Sequence, residues 1–306
     1  MDTAWRTIDC SSMRGSLTAA RGALVIRPTD QDEVSVPVDD VAVALVGPGV
    51  TFTSGSMHRL LDADVVVLFC DWRGVPEGAS YPWRAHTRVG ARQRAQAELS
   101  EPRRKNAWGR IVKAKISGQA SVLAVVGSAQ APRLRSIAKG VRSGDPDNAE
   151  GTAARIYWSQ VFGTEAAFGR DQDGGDGRNS CLNYGYAIVR AEAVRAVVSA
   201  GLSPTLGLFH RGRSNYFNLA DDLMEPFRPV VDQAVASLPS TAIPDDREVK
   251  HYLVDAVTSP FNADGETLPT VIERLAQHLG QYVEGDRKLL DVPVWDANLG
   301  RDNGGR

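Results

Sequence analysis

The chain has 306 residues, 42% of them hydrophobic and 24% charged, ordinary values for a globular protein with material for one large or two modest cores. Its net charge of −2 gives no whole-chain bias toward a polyanion. The most apolar run, 65–70, is closed in by Asp64 and Asp71, far short of the roughly 20 apolar residues of a membrane helix, and Asp2, Arg6 and Asp9 interrupt the start where a signal peptide needs an apolar stretch, so a cytoplasmic protein with no membrane partner is expected.

In chain order, short strands are predicted at 7–10, 23–27, 34–38, 41–46, 51–53 and 65–69, with Val34, Val36 and Val38 alternating with polar neighbours at the period of a half-buried strand. Gly47, Pro48 and Gly49, then Ser54 and Gly55, supply turns, and one short helix fits at 57–61. After a loop at 74–82 the valine runs give way to segments rich in Ala, Arg, Gln, Leu and Lys. Helices are predicted at 88–99, from a cap at Ser100 through Lys115, from Asp145 and Pro146 to Gly163, at 181–200, 219–238, 247–259 and 267–284. The expected fold class is α+β: a small N-terminal β-strand domain, 1–82, followed by a larger all-α domain, 83–306. The Gly/Asp segment 171–178 is read as a mobile surface loop and 298–306 as a loose tail. Cys10, Cys70 and Cys181 are odd in number and widely spaced, which points to buried thiols and not to a disulfide framework or a cysteine metal site.

Charge is segregated. Between residues 85 and 150 stand thirteen basic side chains, among them Arg103, Arg104, Lys105, Arg110 and Lys113, against five acids, a local balance of 13 − 5 = +8. Such a face suits a phosphodiester backbone; a solvated helix surface explains the count equally well.

Three places carry chemistry. On the helix after Asp145, Glu150 heads a stripe of Ala154, Tyr157, Trp158 and Val161, so its carboxylate is expected to be partly buried and to need a cation, a strong donor or a metal; the alternative is a first-turn acid that complements the helix dipole. In NLADDLMEPFRPVVD, Leu219, Leu223, Phe227 and Val231 form a core stripe, and Asp222, Glu225 and Arg228 line up at three-residue spacing on another face. Pro226 cannot donate to the carbonyl of Asp222 and disfavours helical geometry at Glu225, so the backbone is expected to bend at the acids; taken alone, such a trio is more often a surface ion-pair cluster than a metal site. His210 follows the apolar run 206–209 and precedes Arg211 and Gly212. One imidazole and two carboxylates make a plausible seat for Mg²⁺ or Mn²⁺, as in a metal-dependent phosphoesterase.

Four blocks then carry a family resemblance by their order and spacing: SEPRRKNAWGRIVKAKI at 100–116, DPDNAEGTAARIYW at 145–158, NSCLNYGYAIVRA at 179–191, and SPTLGLFH through NLADDLMEPFRPVVD at 203–232. The chain resembles the CRISPR-associated integrase-nuclease of spacer acquisition, in the form that accompanies type II systems. The resemblance implies that Glu150, His210 and Glu225 are the metal ligands and catalytic residues, that Asp222 sits beside the site, that Arg228 faces phosphate, and that Asn183, Tyr184 and Tyr186 line the site or pack behind it. Arg103, Arg104, Lys105, Arg110 and Lys113 would grip DNA. It further implies a homodimer joined through the N-terminal domain, assembly with a small second adaptation protein into a heterohexamer, and double-stranded DNA substrates, the prespacer and the CRISPR repeat. Whether the type II effector nuclease or an accessory adaptation protein binds stays open. A general metal-dependent nuclease for branched or single-stranded DNA, and a non-catalytic DNA-binding scaffold, are the competing readings.

Overall fold

The structure is a computed structural model that describes residues 6–72, 74, 76–82, 86–163, 168–171 and 177–299. The chain divides into two compact units, Met1–Thr87 and Arg88–Arg306.

The first unit is built on two four-stranded sheets. Its strands are β1 (Arg6–Cys10), β2 (Gly15–Ala20), β3 (Ala23–Pro28), β4 (Val34–Pro37), β5 (Val41–Val46), β6 (Val50–Phe52), β7 (Val66–Cys70) and β8 (Pro76–Ser80), with helix α1 (Ser54–Asp62) between β6 and β7. One sheet runs β1-β5-β7-β8, parallel except for the last pair; the other runs β4-β3-β2-β6, antiparallel except for β2 with β6. β5 reads VAVALV and is buried along its whole length, as an inner strand covered on both faces must be. Leu17 of β2 faces Ile26 of β3, and Leu24 of β3 faces Val36 of β4. These side chains join Cys10, Val41 and Val67 of the other sheet and Leu60 of α1 in one core.

Sequence reasoning missed two of these strands. β2, GSLTAA, is too rich in small residues to register as a strand; what forms it is the two-residue turn at Arg21 and Gly22, whose φ values of +52° and +81° are those of a tight hairpin that sets β2 against β3. β8 lies within the segment read as a loop and pairs with the edge of β7. Val34, expected to share the buried face of Val36 and Val38, is half exposed on the edge strand β4.

The second unit contains helices α2 (Val89–Ala97), α3 (Glu101–Val125), α4 (Ala131–Gly140), α5 (Ala149–Trp158), α6 (Gly177–Ser199), α7 (Asn218–Met224), α8 (Arg228–Ser237), α9 (Arg247–Thr258) and α10 (Leu268–Glu284). α3 is its central column, packed against α4, α5, α7 and α8. Buried glycines let neighbours close on it: a Cβ at Gly118 would stand 3.1 Å from Pro229 at the start of α8. α6 packs against α7, α8, α9 and α10 on the far side of the core.

Helix starts differ from expectation in an informative way. α5 begins at Ala149, four residues after Asp145. Asn148, with φ +51°, is the cap and accepts from the Gly151 N–H at 3.1 Å; Asp145 instead reaches forward, its carboxylate accepting from the N–H groups of Ala149 and Glu150 at 2.8 and 3.0 Å. Four exposed amides at a helix start need acceptors, and two side chains share the work here. α5 also ends at Trp158, five residues early, and buries Ala153 with Tyr157, while Ala154 is only half buried. α6 starts at Gly177, inside the segment read as a loop, of which 172–176 lie outside the described residues; most of the tail, 300–306, lies outside them too. α4 was not foreseen: APRLRSIAKG buries only Ala131, Leu134 and Ala138, too faint a stripe to stand out. At Pro226 the α-helical ladder is interrupted by a single 3-10 turn, Glu225–Phe227, between α7 and α8, while Glu225 itself keeps right-handed helical angles, φ −55° and ψ −41°, against the expected loss of helical geometry there; Leu219, Leu223, Phe227 and Val231 are all buried. Cys10, Cys70 and Cys181 are free and buried. Among the described residues no helix is long and apolar enough to cross a membrane.

Candidate active site

Four chain segments converge. α3 contributes Lys115, on the face that carries Trp108, Val112 and Gln119 (three and four residues apart). α5 contributes Glu150 from its first turn, the 3-10 turn contributes Glu225, and the loop before α7 contributes His210. Lys115 Nζ lies 2.6 Å from Glu150 Oε1 and 2.5 Å from Glu225 Oε2, so the two carboxylates meet around one ammonium group. The other oxygen of Glu225 pairs with Arg228 Nε at 2.9 Å, and the Arg228 guanidinium lies over the Tyr186 ring, 4.5 Å from its centre. Burial alone would raise the Glu225 carboxyl; Arg228 and Lys115 outweigh it and hold it down at about 2. Burial likewise works against the Lys115 charge, and Glu225 and Glu150 reverse that, leaving the ammonium above its ordinary range.

His210 is fixed from behind. Its Nδ1 stands 2.7 Å from Asp222 Oδ1. Asp222 is fully buried and also accepts from the backbone N–H groups of Leu208, Phe209 and His210, at 2.6, 3.1 and 3.2 Å. One carboxylate thus organises both the loop and the ring, and its bond to Nδ1 leaves Nε2 as the nitrogen open to a ligand. That hydrogen bond raises the imidazole above its ordinary value, while burial pushes the Asp222 carboxyl up. Gly207 is required for this closure: a Cβ there would stand 2.3 Å from the His210 carbonyl oxygen and 2.9 Å from Asp222 Oδ2. Trp108 of α3 supports the loop from the other side, stacked flat on Phe209 at 4.4 Å between ring centres and edge-on to His210 at 6.0 Å.

Among the described residues no three of His, Cys, Asp and Glu close on one point as metal ligands; it is Lys115 that stands at the point shared by the two glutamates. Sequence reasoning counted Lys115 only as one of many basic residues, although a lone cation on the apolar face of α3 was a usable signal.

The remaining expected residues separate clearly. Arg228 is spent on Glu225 and Tyr186. Arg103 donates to the carbonyls of Tyr282 and Arg287 and lies over the Tyr282 ring, which ties α3 to α10. Arg110 donates to the Leu290 carbonyl at 3.2 Å, and Arg104 to that of Leu99 at 3.1 Å. Lys105 is exposed and paired with Glu101, and Lys113 is exposed. Asn183 accepts from Arg170 at 2.6 Å, while the Tyr184 ring lies 5.5 Å from the Lys250 ammonium.

A second buried layer lies under the site. The Tyr186 hydroxyl donates to Asp232, and the Tyr157 hydroxyl is close to the same carboxylate. Burial raises Asp232 to about 6 from an ordinary 3.8, against the pull of these hydroxyls and of Arg228. A folded-state value above the unfolded one means that the contribution to stability is complete below pH 3.8 and is lost as pH rises through about 6. Asp232→Asn fixes the neutral form, so its Tm measured against that of the parent in metal-free buffer is expected to climb between pH 4 and 7. A constant difference across that window would show that Asp232 does not titrate there.

A helical unit here gathers two carboxylates, a lysine and a carboxylate-held histidine, groups of the kind that phosphodiester chemistry uses. Residues 11–251 match the family model described as CRISPR associated protein Cas1. The CRISPR-associated endonuclease Cas1 of Neisseria meningitidis serogroup C (strain 8013) is 36% identical over 236 residues, 76% of each chain. Among solved structures, a casposase bound to its integration product superposes with a TM-score of 0.75 at 21% identity, covering 94% of this chain and 92% of that one. The Cas6-RT-Cas1–Cas2 complex contains a chain that matches with a TM-score of 0.76 at 20% identity, covering 97% of this chain and 37% of that one. The chain belongs to the Cas1 family of CRISPR-associated endonucleases.

Proposed function

We propose that Glu150, His210 and Glu225 bind Mg²⁺ or Mn²⁺ and that this centre joins the 3′-hydroxyl ends of a short duplex prespacer to phosphodiesters of the CRISPR repeat. The observation that carries the reading is the meeting of Glu150 and Glu225 around a single cation beside an imidazole whose outer nitrogen is kept open by Asp222. Two hard oxygen donors and one neutral nitrogen suit an oxygen-preferring divalent ion, and the nitrogen favours manganese. Such an ion, when bound, polarises the scissile phosphate and lowers the pKa of the attacking hydroxyl. The chain's own residues do the rest. Asp222 holds His210 in one tautomer and one orientation, Arg228 keeps Glu225 charged, and the Trp108–Phe209 stack fixes the loop on which His210 sits.

On this reading the substrates are double-stranded DNA, prespacer and repeat, and the enzyme works in the cytoplasm. Of the basic side chains between 85 and 150, the exposed ones such as Lys105 and Lys113 face the phosphate backbone; Arg103 and Arg110 hold the helical unit together. The N-terminal β unit joins two copies of the chain and meets a small second adaptation protein, in line with the Cas1–Cas2 assembly named for a structural relative.

The test is a strand-transfer assay with labelled prespacer and a repeat-bearing plasmid, the second adaptation protein present, comparing the parent with His210→Ala with and without manganese. Branched integration products that require both the ion and His210 are expected. Cut fragments without joined products would assign the chain to general DNA cleavage, and normal integration by His210→Ala would remove His210 from the centre.

A further inference from the structure

The four groups in direct contact around Glu225 pair two acids with two cations. Glu150 and Glu225 carry two negative charges, and Lys115 and Arg228 carry two positive ones, with contacts of 2.5 to 2.9 Å. Lys115 and Glu225 expose only 14% and 5% of their side chains, so water does little to screen the balance. A divalent ion bound to both glutamates would take the point where the Lys115 ammonium stands, 2.5 to 2.6 Å from each carboxylate, and two cations at one point repel. One resident cation has to leave. Arg228 is held by the Tyr186 ring as well as by Glu225, whereas Lys115 is a flexible chain whose ammonium, among the described residues, pairs with the two carboxylates.

Resting on the metal-site reading above, we propose that Lys115 is the exchangeable cation of this centre: it holds Glu150 and Glu225 together in the metal-free protein and is expelled when a divalent ion binds, so that metal binding is an exchange of one cation for another. Lys115 is then a positioning residue in the resting enzyme. It keeps two carboxylates converged that would otherwise repel, and it sets a threshold that a metal must overcome. Only an ion that binds both glutamates at once displaces it, which disfavours monovalent ions and adventitious one-carboxylate binding.

The experiment is a Mn²⁺ titration of the full chain, followed by the electron paramagnetic resonance of free Mn²⁺, on the parent, Lys115→Met and Glu150→Gln. Removing the competitor is expected to tighten Mn²⁺ binding about tenfold in Lys115→Met, while the melting temperature of that variant in EDTA falls below the parent's and recovers when Mn²⁺ is added. Equal or weaker binding by Lys115→Met, with Glu150→Gln binding lost, overturns the exchange and leaves the metal site standing. Binding that Glu150→Gln does not change overturns both. A second readout needs no lysine variant: acylation of Lys115 by an amine-reactive ester, read by peptide mass spectrometry, is expected to accelerate severalfold when Mn²⁺ is added to the parent but not to Glu150→Gln. Labelling that stays slow with Mn²⁺ bound shows that the ammonium never leaves and refutes the exchange.

Discussion

Glu225→Ala is expected to abolish strand transfer and, in addition, to cost about 3–5 kcal/mol of stability in metal-free buffer, the usual scale for removing one partner from a buried ion network. The side chain is 5% exposed and its two oxygens face Lys115 and Arg228, so truncation leaves two poorly hydrated cations pointing at an apolar methyl. Glu150→Ala removes the other carboxylate of the pair, yet Lys115 keeps Glu225 and the Glu150 side chain is a quarter exposed. Its effect is therefore expected to split: strand transfer lost, stability nearly kept. Urea denaturation in EDTA separates the two variants, and equal stability losses would mean that the cluster is not anchored on Glu225.

Asp222→Asn is expected to be the most damaging near-isosteric change in the chain. The carboxylate receives four N–H groups, three from the backbone of 208–210 and one from the His210 ring. An amide in its place turns an NH₂ group toward some of those donors, leaving buried groups unmatched at about 1–3 kcal/mol, and it releases the ring. Loss of a carboxylate behind a ligating histidine typically lowers metal affinity or activity by about 10–100-fold. The parent's His210 is expected to show an unprotonated Nε2 in nitrogen NMR, and the variant a mixture of tautomers. A variant that keeps the parent's tautomer, Mn²⁺ affinity and rate would show that Asp222 is not the orienting group.

Much of this architecture was legible from residue pattern alone, and where it was not the reasons are physical. β5, a continuous apolar run, and α10, a long amphipathic stripe with Pro269 at its start, identify themselves because local pattern and final burial agree. β2 and α4 do not: both are built from small or charged residues and exist because a turn or a neighbour holds them. At the site, the break in the α-helical ladder at Pro226 follows from one missing N–H, and Glu150 at the head of a half-buried helix follows from periodicity. The identities of Glu150, His210 and Glu225 as a set came from resemblance, since nothing local tells three residues 60 and 15 positions apart that they are neighbours. Two features needed the folded chain. Asp222 gathers the 206–210 turn only once α7 packs beneath it, and Lys115 acquires its meaning from the two glutamates that reach it from other helices. The division of labour among the arginines was equally invisible: Arg103 and Arg110 look like DNA-gripping residues in a basic run, and in the fold they brace α3 against the C-terminal segments.

The most direct measurement is a crystal structure of the protein soaked in manganese, with data collected at the manganese absorption edge. The expected result is one anomalous peak bounded by Glu150, Glu225 and His210 Nε2, with the Lys115 ammonium moved off the carboxylates. A map with no peak there at saturating manganese, or with the ion bound elsewhere while Lys115 still bridges the two glutamates, would contradict the assignment of this cluster as the metal centre.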